Sequence, residues 1–263
     1  RQNLERIGPV AIALALWLGA LGALAWAFRH APPFSWAKST SSHLAFDYIL
    51  LLGVLLTGAA LAYTEVQFTP LGSSWSYHLL VMSVFAGLLA VRGDSRMIAS
   101  LALTTFAAWR GVAASPLERA FWTAGGDEGE LRVNAIFTGL LFVALGYGLV
   151  RSDKKAHFEP LCAHLGWLLL LAALLSGIFE RGSAGPAFRL VLLVVGVGLA
   201  LFAFGAGRFG LFGMGLVAAY IALSALVLAV VDDAFFGFLW FISTGTLVLV
   251  VLLVAHHKMK ARP

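Results

Sequence analysis

The sequence predicts an all-α, polytopic membrane protein, a single domain of about nine transmembrane helices joined by short links. Three observations predict it. Of 263 residues, 60% are hydrophobic and only 12% charged, with a mean hydropathy of +0.91; a soluble domain carries about a quarter charged residues. The apolar residues are gathered into runs near the ~20 residues that a spanning helix needs. None of these runs alternates with period two, as the strands of a transmembrane barrel would.

Taken in order, the runs give candidate spans at 9–28, 43–63, 77–92, 96–113, 133–150, 158–179, 187–206, 209–231 and 234–255. The first follows RQNLER, the form of a signal peptide's start. Pro9 to Phe28 is nevertheless long enough to span, and no small-x-small cleavage site precedes the next polar stretch, so it reads as a retained span. The third and fourth spans form a hairpin around the basic turn Arg92 to Arg96. GLLAVRGDSR at 87–96, GYGLVRSDKK at 146–155 and FAFGAGRFG at 202–210 each close an apolar run with a glycine-containing basic turn. An internal repeat of the kind found in transporters has this form, but so does any polytopic chain with short links, and only the turns agree. In the longest link, Ser115-Pro116-Leu117-Glu118 has the pattern of a capping box, predicting a short helix with Phe121 and Trp122 at headgroup level. GGDEGE beyond it reads as a solvated acidic loop.

The charges set an orientation. Alternate links hold Arg29, Lys38, Arg92, Arg96, Arg151, Lys154, Lys155, Arg208, Lys258, Lys260 and Arg262, eleven of the eighteen Lys and Arg. The opposite links hold nine of the thirteen acids, Glu65, Asp127, Glu128, Glu130, Asp232 and Asp233 among them. By the positive-inside rule the eleven-charge face is cytoplasmic and the C-terminus lies inside. The formal net charge of +5 is thus a topological signal and implies no nucleic acid partner. The single cysteine, Cys162, excludes an internal disulfide, and no CxxC, CxxCH or Cys/His metal spacing occurs. No cofactor is expected.

Few residues inside the spans point to chemistry. Asp47, one turn into the second span, is expected to cap or pair with a basic turn, proton relay being the alternative. Arg110 and Arg189 sit where they can snorkel. His43, His78 and His164 lie near span ends and offer no mid-depth pair for a b-type haem. Asp232-Asp233 has the look of a metal-dependent transferase's acid pair, but its short link reads as a tight turn. A candidate polar cavity would be lined by Asp47, Thr104, Thr105 and Thr244, with Thr57, Ser243 and Thr246. Gly196 and Ala200, and Ala206 and Gly210, have small-xxx-small spacing, which suits close helix packing within a hairpin or a face for a partner. Trp36, Trp75, Tyr77, Trp109, Trp122 and Trp240 form the aromatic belts.

The runs YILLLGVLLTGAALAYTEVQF, SSWSYHLLVMSVFAGLLAVRGDSRMIASLALTTFAAW and GRFGLFGMGLVAAYIALSAL resemble the bacterial multi-span membrane proteins of domain of unknown function 2157. The likeness lies in a tryptophan before a span, a small-rich apolar run, a basic hairpin turn and an Arg-Phe-led span. It implies an inner-membrane protein and supplies no activity and no site residues. The sequence thus points to a non-catalytic accessory or scaffolding subunit that packs against membrane lipids or other integral membrane subunits. A transporter or channel for a small or lipidic solute is the alternative, and an integral membrane enzyme or b-type haem carrier the second.

Overall fold

The computed structural model describes residues 2–38, 44–114, 128–180, 184–231 and 233–260. Regular structure among them is entirely helical. The long helices are α1 Gln2–Arg29, α2 Leu44–Phe68, α3 Tyr77–Gly93, α4 Arg96–Ala114, α5 Glu128–Arg151, α6 Glu159–Gly177, α7 Ala184–Gly205, α8 Phe209–Leu228 and α9 Ala234–Lys260. Short 3-10 turns stand at Gly72–Ser74 and Ala156–Phe158. A helix thus occupies each expected run. Length and composition qualify seven of them to cross a membrane, all except α3 and α4. The 17-residue α3 is apolar but short, and α4 interleaves Arg96, Ser100, Thr104, Thr105 and Arg110 with its apolar residues.

Helix ends follow local chemistry. Asp94, at φ 58°, closes α3 by donating its backbone N–H to the Ala90 carbonyl, and Ser95 N–H joins the same oxygen at 3.2 Å. Gly207, at φ 69°, takes the left-handed position that ends α7, where glycine has no Cβ to clash. The Asp233 carboxylate accepts the Phe235 N–H at 2.9 Å and so caps α9. Of the expected Asp232-Asp233 turn, Asp233 thus also starts a helix. Asp232, the Ser115–Glu118 capping box, Phe121, Trp122, His43 and Asp127 lie outside the described residues.

The chain divides into two compact units, Arg1–Asp127 with Phe142–Ala163, and Glu128–Leu141 with His164–Pro263. In the first, α1 packs along α2 and α3 along α4. A Cβ on Gly53 would come within 2.8 Å of Leu24, and one on Gly93 within 2.6 Å of Leu50. At Gly53 the Leu24 backbone nitrogen also stands 3.3 Å away, whereas at Gly93 the tight contact is with the end of the Leu50 side chain. The core between them holds Phe46, Leu50, Val54, Leu89 and Ile98, and the Ser83 hydroxyl donates to the Ala102 carbonyl at 2.9 Å.

In the second unit the closest pairing is α7 with α8. Cβ atoms added to Gly196 and Gly215 would stand 2.7 Å from the Ala219 nitrogen and 2.6 Å from the Ala200 nitrogen, so the two backbones touch. The last helix, α9, packs more sparsely against α8. Its Trp240 Nε1–H donates to Ser224 at 3.1 Å, while its apolar stretch is only 6% buried.

Candidate functional site

At one end of the first unit, the α3–α4 turn is the centre of a buried polar cluster rather than a plain basic hairpin. Its left-handed backbone presents Asp94 to the α5–α6 link. There Lys155 Nζ donates to Asp94 Oδ1 at 2.7 Å, and His157 Nε2 lies 2.8 Å from the same oxygen. The side chains of Asp94, Lys155 and His157 are 4%, 3% and 10% exposed. Lys155 is itself left-handed, at φ 50°, and its backbone N–H donates to the Trp36 carbonyl at 2.8 Å. Lys154 lies 5.0 Å from the Trp36 ring centre, Lys155 lies 5.5 Å from that of Phe34, and Arg92 donates to the Pro32 carbonyl at 2.9 Å. Three segments, residues 32–36, the α3–α4 turn and the α5–α6 link, are therefore tied at this end. Asp47 stands at the expected turn, but it faces Ser95 and Asp94, and the lysine pairs with Asp94 instead.

The opposite end of α2 carries a second built feature. Glu65 is 9% exposed and accepts from Gly72 N–H at 2.8 Å, from Leu71 N–H at 3.2 Å and from His78 Nε2 at 2.8 Å. The α2–α3 link is thereby wrapped around one carboxylate. Beside it, a groove of about 620 Å³ runs between α2, α3 and α4. Val54, Leu55, Gly58, Ala62, Met82 and Leu101 line its length, Thr105 borders it, and Glu65, Trp75 and His78 mark its polar end. Its volume falls within the range of small-molecule sites.

In the second unit Arg132, 7% exposed, donates from Nη1 to Glu180 at 2.8 Å and from Nε to Ser176 at 3.1 Å, with its guanidinium 4.8 Å from the Phe188 ring centre. The start of α5, the end of α6 and the start of α7 meet on that one side chain. Arg189 Nε–H donates to the Ile178 carbonyl at 3.3 Å.

The hydroxyls expected to line a polar cavity serve their own helices. Thr57 donates to Gly53 at 2.7 Å, Thr104 to Ser100 at 2.9 Å, Ser243 to Leu239 at 2.7 Å and Thr246 to Ile242 at 2.6 Å. Thr244 bonds the Trp240 carbonyl and stands 3.4 Å from the Tyr220 hydroxyl. Thr105 alone of this set borders the groove, whereas Asp47 sits at the far end of α2. Of the small residues, Gly196 and Ala200 meet Gly215 and Ala219 across the α7–α8 contact. Ala206 and Gly210 do not share a helix face, because α7 ends at Gly205 and α8 begins at Phe209. Gly210 instead accommodates His164, whose Nε2 would lie 2.6 Å from an added Cβ.

Among the described residues, no three His, Cys, Asp or Glu side chains converge to hold a metal ion. Compared with known proteins, the chain matches no family model, no curated protein and no solved structure.

Proposed function

We propose that this chain is a non-catalytic integral protein of the bacterial cytoplasmic membrane, an accessory or scaffolding subunit that packs against other membrane proteins and lipid. The observation that carries this reading is α9. Its apolar stretch Phe235–Lys260 is 6% buried, and Phe235, Phe238, Leu249 and Leu253 are each more than 60% exposed. Such a helix contributes little to its own chain's core and offers bare apolar surface around most of its circumference. The buried charges favour a structural role: Lys155 and Arg132 are each engaged by a carboxylate of the same unit. The excess of Lys and Arg on alternate links supports a cytoplasmic side for the Arg92 and Lys155 turns and the C-terminus. The resemblance to domain of unknown function 2157 supports the inner-membrane location alone.

The test is gentle detergent extraction from native membranes, followed by native-gel sizing and mass spectrometry of co-migrating chains. A stoichiometric membrane partner that is lost on Leu249→Lys supports the reading. A monodisperse monomer or homodimer from native membranes refutes it.

A further inference from the structure

We propose that the groove between α2, α3 and α4 binds one neutral lipid, a linear chain headed by a hydroxyl that Glu65 receives. Three features of the groove carry this, independently of any partner of α9. The first is length: from Val54 to Val66 the groove follows α2 for ~18 Å at 1.5 Å per residue, about one leaflet's share of a ~30 Å hydrocarbon core. The second is shape, because Gly58, Ala59 and Ala62 leave a channel along α2 with flexible Met82 on the facing wall.

The third is the chemistry of the polar end. Among the described residues, the groove lining includes one carboxylate and one imidazole, and neither Lys nor Arg. A phosphate or carboxylate head would face the Glu65 carboxylate with no cation opposite. A carboxylate offers about four lone-pair sites. Leu71, Gly72 and His78 occupy three, and among the described residues Oε1 holds only the Gly72 N–H. A hydroxyl donates into the remaining site, and its chain extends past Ala62, Gly58 and Leu101.

The test uses the full chain in nanodiscs with tritiated hexadecanol, and hexadecyl phosphate as the anionic counterpart of equal chain length. Expected is saturable binding of one hexadecanol per chain, with hexadecyl phosphate weaker by about tenfold or more, the scale of one hydrogen bond to a charged group. Ala62→Trp fills the channel from an exposed position and should abolish saturable binding without unfolding the protein. Glu65→Gln should bring the two probes within a few-fold of one another. A benzophenone on Ala59→Cys, with Cys162 buried and unreactive, reports what lies in the groove in native membranes. Its crosslinking to lipid supports the proposal. Equal affinity for both probes, binding insensitive to Ala62→Trp, or crosslinking to a polypeptide would each overturn it.

Discussion

Replacing Lys155 by Met asks whether the Asp94 cluster holds the first unit together. Methionine keeps an unbranched, apolar stem and removes the ammonium that stands 2.7 Å from Asp94 Oδ1. Both side chains are at least nineteen-twentieths buried, so water cannot replace the lost partner. Removing one member of a buried ion pair costs about 3–5 kcal/mol. His157 stands 2.8 Å from the same oxygen, but its Nε2 makes no hydrogen bond there, so the loss is expected across that range of about 3–5 kcal/mol. Asp94→Asn keeps a residue that tolerates the left-handed backbone at φ 58°, and it makes the second corner of a double-mutant cycle. The double variant should be less destabilised than the sum of the singles by about 1.5 kcal/mol or more. Equilibrium unfolding in mixed micelles of rising SDS content, followed by tryptophan fluorescence, measures all four proteins. A loss below about 1 kcal/mol for Lys155→Met is what a solvated surface pair gives and would refute the reasoning, as would strict additivity.

Other substitutions test the remaining contacts. Gly215→Leu places carbon against the Ala200 nitrogen, where even a Cβ stands at 2.6 Å, and should cost about 3 kcal/mol or prevent α7–α8 packing. Gly198→Leu on α7, the other helix of that pair, meets nothing within 4 Å and should be close to neutral in the same assay. Arg132→Lys should fail to rescue Arg132→Met, because a lysine cannot serve Ser176, Glu180 and the Phe188 ring together; an expected loss of about 1–3 kcal/mol reflects the partial exposure of Glu180. Gly139→Val drives a side chain into the Gly166 carbonyl, 2.7 Å from an added Cβ, and should lower the yield of folded protein in size-exclusion profiles where Gly148→Val does not.

The helices were legible in the sequence because lipid leaves them little choice. A run of about twenty apolar residues must bond its own backbone internally, so the breaks at Arg29, Gly93 and Gly207 mark the helix ends directly. The Gly196 and Ala200 face was legible for a related reason, since spacing on one helix is local information. Its complement, Gly215 and Ala219, lies on the next helix and is found only when the hairpin closes. Nothing in the chain announces that Asp94 meets Lys155, which is 61 positions away. Both residues sit in basic turns whose composition suits solvent, and the orientation count uses Lys155 as a topological charge. Glu65 and His78 escaped for the same reason: each reads alone as an interfacial polar residue, and their partnership depends on how the α2–α3 link folds. The hydroxyls are a different case. Thr57, Thr104, Ser243 and Thr246 are polar in an apolar run, but a threonine or serine in a helix can satisfy its hydroxyl on a carbonyl one turn back, and these do so.

The two units solve one physical problem by different means. Inside a bilayer, lipid tails are as apolar as leucine, so burial of apolar surface alone does not drive helices together. Helix association must then come from close packing and from polar contacts that the bilayer cannot supply. The second unit relies on backbone contact at Gly196 and Gly215, with Arg132 gathering three helix ends. The first has close approaches at Gly53 and Gly93, and places its charged contacts in links: Asp94 and Lys155 at one end, Glu65 with the Gly72 turn at the other. Both Asp94 and Lys155 hold left-handed backbones that cost a non-glycine residue roughly 1–2 kcal/mol each. A glycine would avoid that cost but would carry no charge. The surrounding contacts hold both conformations, and the ion pair between them is buried at 4% and 3% exposure. By that logic the groove between α2, α3 and α4 lies in the unit whose helices are fastened at their ends, which leaves the length between the fastenings free to open around a chain.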